Sequence, residues 1–178
     1  IALAAVAFAG CGKMDELAPQ GSTLLASQVK ETNVKVPERV SASFNGMYTK
    51  IGEPTSVYGG GNDGRPDDWG FPMIAFSGDA EAADLVLADS GYNWFSVCGE
   101  LESRNADYAN PYIRYAAPYN EIAAANDVIK AYPADTEDQN AIWQIAQAKA
   151  IRAYSYLNIA PFFQFSYATA ADKPCVPL

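Results

Sequence analysis

Three aspartates stand close together in the stretch GGGNDGRPDDWG, and their carboxylates are the first candidates for chemistry. Asp63, Asp67 and Asp68 offer the oxygen ligands that a hard cation such as Ca²⁺ prefers. The spacing does not match an EF-hand loop, because Asp68 stands where that loop needs glycine and Ile74 where it needs glutamate. The sequence therefore predicts no resident cofactor and leaves a looser calcium site open.

Histidine is absent from all 178 residues. Its absence removes Ser-His-Asp and Cys-His nucleophiles and the commonest general base from this piece of chain. Asp67 with Asp79 or Asp84 could in principle form the carboxylate pair of a glycosidase, but nothing in the sequence sets their separation. We therefore expect a binding protein and not an enzyme.

Aromatic side chains in irregular stretches suggest recognition of sugar rings. Tyr92, Asn93 and Trp94 stand together in GYNWF, and Trp69 stands in DDWGFP. An exposed ring can stack on the C–H face of a sugar while an asparagine or aspartate side chain bonds its hydroxyls. These four residues are the predicted ligand-binding site, and loop aromatics folded onto the core are the alternative. Trp143, by contrast, lies on a helical apolar stripe and is expected in the core.

The thiol of Cys11 follows ten residues without charge, and charged residues come soon after it. Spanning a membrane needs about 20 apolar residues, so this shorter run fits the apolar region of an export signal better. Phe8-Ala9-Gly10-Cys11 resembles a bacterial lipobox, in which the cysteine sulfur receives a diacylglycerol. We expect residues 1–10 to be the remnant of a signal peptide and residues 11–36 to be a lipidated tether.

The two ends of the chain suggest a piece of a longer protein. It begins with Ile1, without the basic segment that precedes a signal's apolar region, and it ends on KPCVPL. We expect residues 37–178 to be the N-terminal helical part of a domain. Cys98 and Cys175 could pair after export or remain as two buried thiols.

The charge balance bears on partners. The net charge is −9, which argues against nucleic acid as a partner because that would need a basic patch. Residues 59–110 hold ten acidic residues against two arginines. We expect solvated loops there, and a surface for a cation or a partner is the alternative.

Apolar spacing predicts a mainly α fold with long irregular loops. Helices are expected from Pro37 to Gly52, over about 79–89 with Ser77 as a cap, from Pro111 to Pro133 with a kink at Pro118, and over about 139–159 ended by Pro161. Residues 53–78 are expected to be loops.

Each of the longer predicted helices has an apolar face. The first face carries Val40, Phe44, Met47, Tyr48 and Ile51. The second carries Tyr108, Tyr112, Tyr115, Tyr119, Ile122, Asn126 and Ile129. The third carries Trp143, Ala146, Ala150, Ala153, Tyr154 and Leu157. We expect these faces to pack together as helix pairs.

The order of these parts resembles the N-terminal part of the SusD/RagB family of nutrient-binding outer-membrane lipoproteins. The quoted pieces are FNGMY at 44–48, DDWGFP, YNEIAAANDVI at 119–129 and QAKAIRAYSYLNIAPFF at 147–163, after the lipobox. The most specific pieces are the Tyr-x-x-Ile-x-x-x-Asn run and the Gln-Ala-Lys-Ala-x-Arg-Ala-Tyr helix. The resemblance covers almost the whole chain.

The resemblance implies tetratricopeptide-like helix pairs and anchoring at the cell surface of the outer membrane through Cys11. It implies a TonB-dependent, SusC-like transporter as partner, with an oligosaccharide or a peptide as ligand. Asn126 and Arg152 match structural positions that join neighbouring helices, and Tyr92-Asn93-Trp94 lies near where starch-type members place an aromatic loop. A surface glycoside hydrolase and a non-binding helical scaffold are the alternatives.

Overall fold

The structure is a computed structural model that describes residues 25–53, 70–82, 84–86 and 104–178. These ranges contain helices and no strand, which confirms the predicted mainly α fold. The helices are α1 (Ala26–Lys35), α2 (Glu38–Gly52), α3 (Gly70–Glu81), α4 (Ala109–Ala131), α5 (Gln139–Phe163) and α6 (Tyr167–Ala170). Of these helices, none is both long and apolar enough to cross a membrane.

The chain divides into two compact units, Ile1–Pro37 and Glu38–Leu178. The first contains α1, which lies inside the predicted tether. Local side chains support α1: the Gln28 Oε1 atom accepts the Leu25 backbone N–H at 2.8 Å. An exposed ion pair joins Glu31 to Lys35 one turn later. Such contacts stabilise a short helix by a few tenths of a kcal/mol each, about 0.5 at most for the ion pair.

Helix α4 is the axis of the second unit, because α2, α3 and α5 all pack against it. Its N-terminal half joins a cluster of buried residues from α3, namely Phe71, Met73 and Ile74 with Ile113 and Ala117. Its C-terminal half joins a cluster from α2 and α5, namely Phe44, Met47, Ala148 and Ile151 with Ala125 and Val128. Burial of these apolar side chains is the main stabilising term of the unit.

Helices α4 and α5 form an antiparallel hairpin. Only seven residues separate them, and Asp138 caps α5 by accepting the Asn140 backbone N–H at 3.0 Å. Near the turn, the Tyr132 hydroxyl donates to Gln144 at 2.5 Å. Farther along, the Arg152 Nη1 atom donates to Asn126 Oδ1 at 2.8 Å. The expectation that Asn126 and Arg152 join neighbouring helices is therefore met by a direct hydrogen bond.

The prediction of which face of α5 is buried is wrong. The side chains that α5 buries are Ala141, Ala148, Ile151, Ser155 and Ile159. All six residues of the predicted stripe are exposed instead. Trp143, expected in the core, is 58% exposed and contacts the Phe44 ring at a centroid distance of 5.5 Å. Helix α5 carries apolar residues at helical spacing on two of its faces. The face that packs on α4 is the one that the predicted stripe did not include.

The predicted face of α4 is displaced in its first half. Tyr108, Tyr112 and Tyr115 are exposed, whereas the neighbouring positions Ile113 and Ala117 are buried. Farther along, the predicted Ile122 is buried with Ala125 and Val128. The helix continues through Pro118, which is itself fully buried. The buried row runs beside the tyrosines, so their rings remain partly accessible along one edge of the helix.

The short helix predicted over 79–89 is also wrong, because α3 begins at Gly70 and ends at Glu81. Ser77 is therefore no cap: it is buried inside α3, with its hydroxyl 3.2 Å from the Met73 sulfur. Gly70 has a φ of +51°, and a β-carbon there would lie 2.9 Å from the Ile51 backbone oxygen. Glycine thus permits the close approach of α3 to the end of α2.

Proline positions explain two further differences from the predicted boundaries. Pro72 is the third residue of α3, in the first turn, where a missing N–H leaves no hydrogen bond unmade. Pro161 does not end α5, which continues for two more residues to Phe163. The predicted end of the first helix at Gly52 is confirmed. In that helix Val40, Phe44 and Met47 are buried as expected, and Tyr48 is exposed.

Two substitutions on α5 test which of its faces is buried. Ile159 is 0% exposed and Leu157 is 71% exposed. Ile159→Ala should lower the free energy of unfolding by about 3 kcal/mol, because it leaves a cavity in packed surroundings. Leu157→Ala is the matched control and should change it by less than about 0.5 kcal/mol. Urea unfolding of both variants would measure this, and equal losses would contradict the assignment of the faces.

Candidate functional site

The site residues predicted from the sequence lie outside the described residues. This applies to Cys11, Trp69, Tyr92, Asn93 and Trp94. The same holds for the aspartates considered for calcium and for Cys98. Cys175 is described and carries an exposed free thiol. Among the described residues there is no group of three or more acidic or cysteine side chains placed to hold a metal ion.

A cavity of about 400 Å³ lies where the start of α4 meets the end of α5. We call it the aromatic cavity, and its lining consists of Arg104, Ala106, Pro111, Tyr112, Tyr115 and Phe163. The three rings are 37%, 39% and 37% exposed, so each presents part of its surface to solvent. The hairpin positions them, because its antiparallel packing brings the last turn of α5 beside the first turns of α4.

The rings of this region form a continuous row along the hairpin. Phe163 meets Tyr115 edge to face at 5.3 Å between centroids, and Tyr115 packs on Tyr119 at 4.6 Å. Tyr119 then meets the edge of Tyr156 at 6.3 Å. Contacts of this geometry contribute about 0.5–1.5 kcal/mol each beyond the apolar area that they bury. The row therefore holds the exposed rings in fixed orientations.

Tyr119 anchors the end of the chain to this row. Its hydroxyl donates to the Pro177 carbonyl at 2.6 Å. Burial, and next the neighbouring hydroxyl of Tyr115, raise the pKa of Tyr119 to about 12. The phenol therefore stays protonated at ordinary pH and remains a hydrogen-bond donor. The Gln164 side chain also bonds the Lys173 and Pro174 carbonyls at 3.1 Å.

The aromatic cavity suits binding by stacking. The faces of Tyr112, Tyr115 and Phe163 are apolar and can pack on the C–H face of a sugar ring. The two phenol hydroxyls and the Arg104 guanidinium can bond hydroxyl or carbonyl oxygens at its rim. The described lining residues include no carboxylate, thiol or aliphatic hydroxyl, and their polar groups are two phenols and a guanidinium.

This cavity is not among the sites predicted from the sequence. Tyr112 and Tyr115 belong to a predicted apolar stripe, and Phe163 is distant from both in the chain. The sequence did hold one indication of an exposed site on α4. Tyrosines recur at positions where a buried helix face ordinarily carries aliphatic residues. A phenol keeps its hydroxyl in contact with water, which favours a position at the edge of a core.

Helix α4 also carries a carboxyl group with no exposed surface. Glu121 is 0% exposed, and neither of its oxygens has a hydrogen-bond partner among the described residues. Burial raises the pKa of Glu121 to about 7; the charge of Lys50 opposes this shift and that of Glu53 adds to it. Glu121 does not line the aromatic cavity. Its position is interior, and its effect is on stability.

Glu121→Gln should reduce the dependence of stability on pH. The folded-state pKa of about 7 exceeds the ordinary value of 4.5, so the native state keeps a proton that the unfolded chain has lost. The stabilisation is complete below pH 4.5 and is lost as pH rises through 7, a change on the order of 3 kcal/mol. Urea unfolding between pH 5 and pH 8 would measure it. The change should disappear in the variant.

Asp127→Asn provides the matched control for this experiment. Asp127 is an exposed carboxylate on the same helix, so its substitution removes the same charge without touching the buried carboxyl. It should keep the pH dependence of the unsubstituted protein. If Glu121→Gln keeps that dependence as well, the buried carboxyl is not its source.

In comparisons with known proteins, no family model, curated protein or solved structure matches the chain. An assignment to a family therefore rests on the sequence motifs and on the contacts between them. The two most specific motifs lie on α4 and α5, and they meet at the hydrogen bond from Arg152 to Asn126.

Proposed function

We propose that this chain is the N-terminal part of a SusD-like lipoprotein. In this proposal the sulfur of Cys11 carries a lipid that holds the protein on the cell-surface side of the outer membrane. The protein captures a nutrient, a glycan oligosaccharide, and delivers it to a TonB-dependent, SusC-like transporter. The mechanism is binding alone, in which the ligand is enclosed between the lipoprotein and its transporter.

The mainly helical fold and the antiparallel hairpin of α4 and α5 support the family assignment. The motif YNEIAAANDVI lies on α4, and the motif QAKAIRAYSYLNIAPFF lies on α5. Their polar residues Asn126 and Arg152 are joined at 2.8 Å. We propose that this hairpin is one of the tetratricopeptide-like pairs that the resemblance implies.

The aromatic cavity is the observation that carries the proposed capture of a glycan. Exposed ring faces beside hydrogen-bond donors are the surface that a sugar ring requires, since its C–H faces are apolar and its rim is polar. The cavity of about 400 Å³ also falls within the usual size range of small-molecule sites. The predicted residues Trp69, Tyr92, Asn93 and Trp94 remain proposed as further ligand contacts.

Binding measurements on the full-length protein, started after Cys11, would test the proposed function. Calorimetry against oligosaccharides and peptides should give saturable binding to a glycan, and the same mixtures should contain no cleavage product. Tyr112→Ala should weaken that binding about fivefold through loss of one stacked ring. Tyr167→Ala is the matched control, because Tyr167 is exposed and does not line the cavity.

Each other result of that experiment has a definite meaning. Cleavage products would replace the proposed function with a glycoside hydrolase. Binding to peptides alone would change the nutrient, and no binding at all would leave a helical scaffold. Normal affinity in Tyr112→Ala together with lost affinity in Trp94→Ala would move the site to the predicted residues.

The lipid anchor gives a separate prediction. Cells that express the full-length protein should incorporate radiolabelled palmitate into it and retain it in the outer-membrane fraction, because acylation supplies the membrane affinity. Cys11→Ser should abolish both the label and the retention. Equal labelling of Cys11→Ser would show that Cys11 is not the lipidated residue.

A further inference from the structure

A second cavity, also of about 400 Å³, lies farther along the hairpin. We call it the cationic cavity, and its lining consists of Asn126, Lys149, Arg152, Ala153, Tyr156 and Leu178. Two of these side chains carry positive charge and none is a carboxylate. Residues 111–178, which supply the whole lining, hold six acidic and five basic residues, so two cations without a carboxylate form a local excess of positive charge.

The two cations, Lys149 and Arg152, form no close ion pair within the part of the chain that the structure describes. Arg152 donates one N–H to Asn126, and this bond fixes the orientation of the guanidinium while leaving its other donors. The ring of Tyr156 is held against Tyr119. An ammonium, an oriented guanidinium and a phenol are thus placed around one cavity.

The row of aromatic rings connects this cavity with the aromatic cavity. Phe163 and Tyr115 line the first, Tyr156 lines the second, and Tyr119 lies between them. The segment around Pro177 meets the row at Tyr119, where the Pro177 carbonyl oxygen accepts a hydrogen bond from the Tyr119 hydroxyl. The two cavities are therefore linked by one row of rings, with Tyr119 between the rings that line them.

We infer that the cationic cavity binds an acidic group of the captured glycan, a uronate carboxylate or a sulfate ester. This inference rests on the proposed function and specifies its substrate class. Lys149 and Arg152 supply charge-assisted hydrogen bonds to the oxyanion, and these bonds are shorter and stronger than neutral ones. The Tyr156 hydroxyl supplies a third donor. Neutral sugar residues of the same ligand stack in the aromatic cavity.

Lys149 is the residue to change, because Arg152 also holds α4 to α5. Lys149→Gln removes the charge at an exposed position of α5. Lys30→Gln is the matched control, since Lys30 is an exposed lysine of α1 that forms no described ion pair. Both variants change the net charge equally, so a general effect of charge would appear in both.

The experiment compares three probes on the full-length protein started after Cys11. These are tetragalacturonic acid, its fully methyl-esterified form and a sulfated galactan tetrasaccharide. One acidic probe at least should bind, and Lys149→Gln should weaken it about fivefold while Lys30→Gln leaves it unchanged. The affinity for that probe should also fall as salt rises. The acidic probe whose affinity falls in Lys149→Gln identifies the bound group as a carboxylate or a sulfate.

The outcomes separate this inference from the proposed function. Tight binding of a neutral glycan with no acidic probe bound would overturn the acidic subsite and leave glycan capture intact. Equal affinity of Lys149→Gln and the unsubstituted protein for an acidic probe would also overturn the acidic subsite. No binding of any neutral or acidic glycan would remove the proposed function and this inference together.

Protection of the lysine gives a second readout. Acetylation of the Lys149 amine by a soluble reagent, followed by mass spectrometry, should slow at least threefold at saturating acidic probe, because a bound oxyanion holds the ammonium in its protonated form. Acetylation of Lys30 should not change. Unchanged acetylation of Lys149 at saturation would contradict the inference even where the probe binds elsewhere.

Discussion

A buried arginine on the central helix holds three helices of the second unit together. The Arg114 guanidinium lies 2.8 Å from a Glu81 carboxylate oxygen at the end of α3. It also lies over the ring of Phe162 on α5, at 4.6 Å from the ring centroid. A charge this deeply buried is tolerated only with a partner, and removal of one partner from such a pair costs about 3–5 kcal/mol. Arg114 thereby links the first turns of α4 to the end of α3 and to the last turn of α5.

On α4, the apolar residues that stabilise the fold and the tyrosine rings that are exposed to solvent lie on different sides of the helix. Apolar clusters bury one side of the helix along both halves, whereas the tyrosines on its flank remain partly exposed. Glu121 is the exception within the buried side, since a carboxyl without a described partner lowers stability when it ionises. Tyr115 and Phe163 contact each other at the surface, so a ligand can reach these two rings without entering the buried clusters.

The two cavities present different chemistry on one hairpin. One offers ring faces with a single guanidinium at its rim, and the other offers two cations and a phenol. Both lie on the same hairpin, and both are lined by residues from α4 and α5. For the proposed capture of a glycan, side chains fixed before binding lose little conformational freedom when the ligand arrives. The proposed release to a transporter calls for such contacts and for no chemical step.

The sequence by itself determined the class of the fold and the positions of α2, α4 and α5. Apolar residues at spacings of three and four encode an amphipathic helix locally, so α2 and its face from Val40 to Met47 could be predicted. Prolines were a weaker guide, because both Pro72 and Pro161 lie inside helices: Pro72 is in a first turn, where a missing N–H is tolerated, whereas Pro161 is in the last turn of α5 and does not end it. Motif order suggested a family, and it did so without any knowledge of contacts.

Only the tertiary structure decided which helix faces are buried and which residues meet. Helix α5 has two apolar faces of equal period, and its own sequence cannot say which one α4 covers. For the same reason, a local pattern could not bring Phe163 to Tyr115 or Lys149 to Asn126, because these residues are joined by the turn between two helices. Periodicity is a property of neighbouring residues, whereas a binding cavity is a property of how separate elements pack.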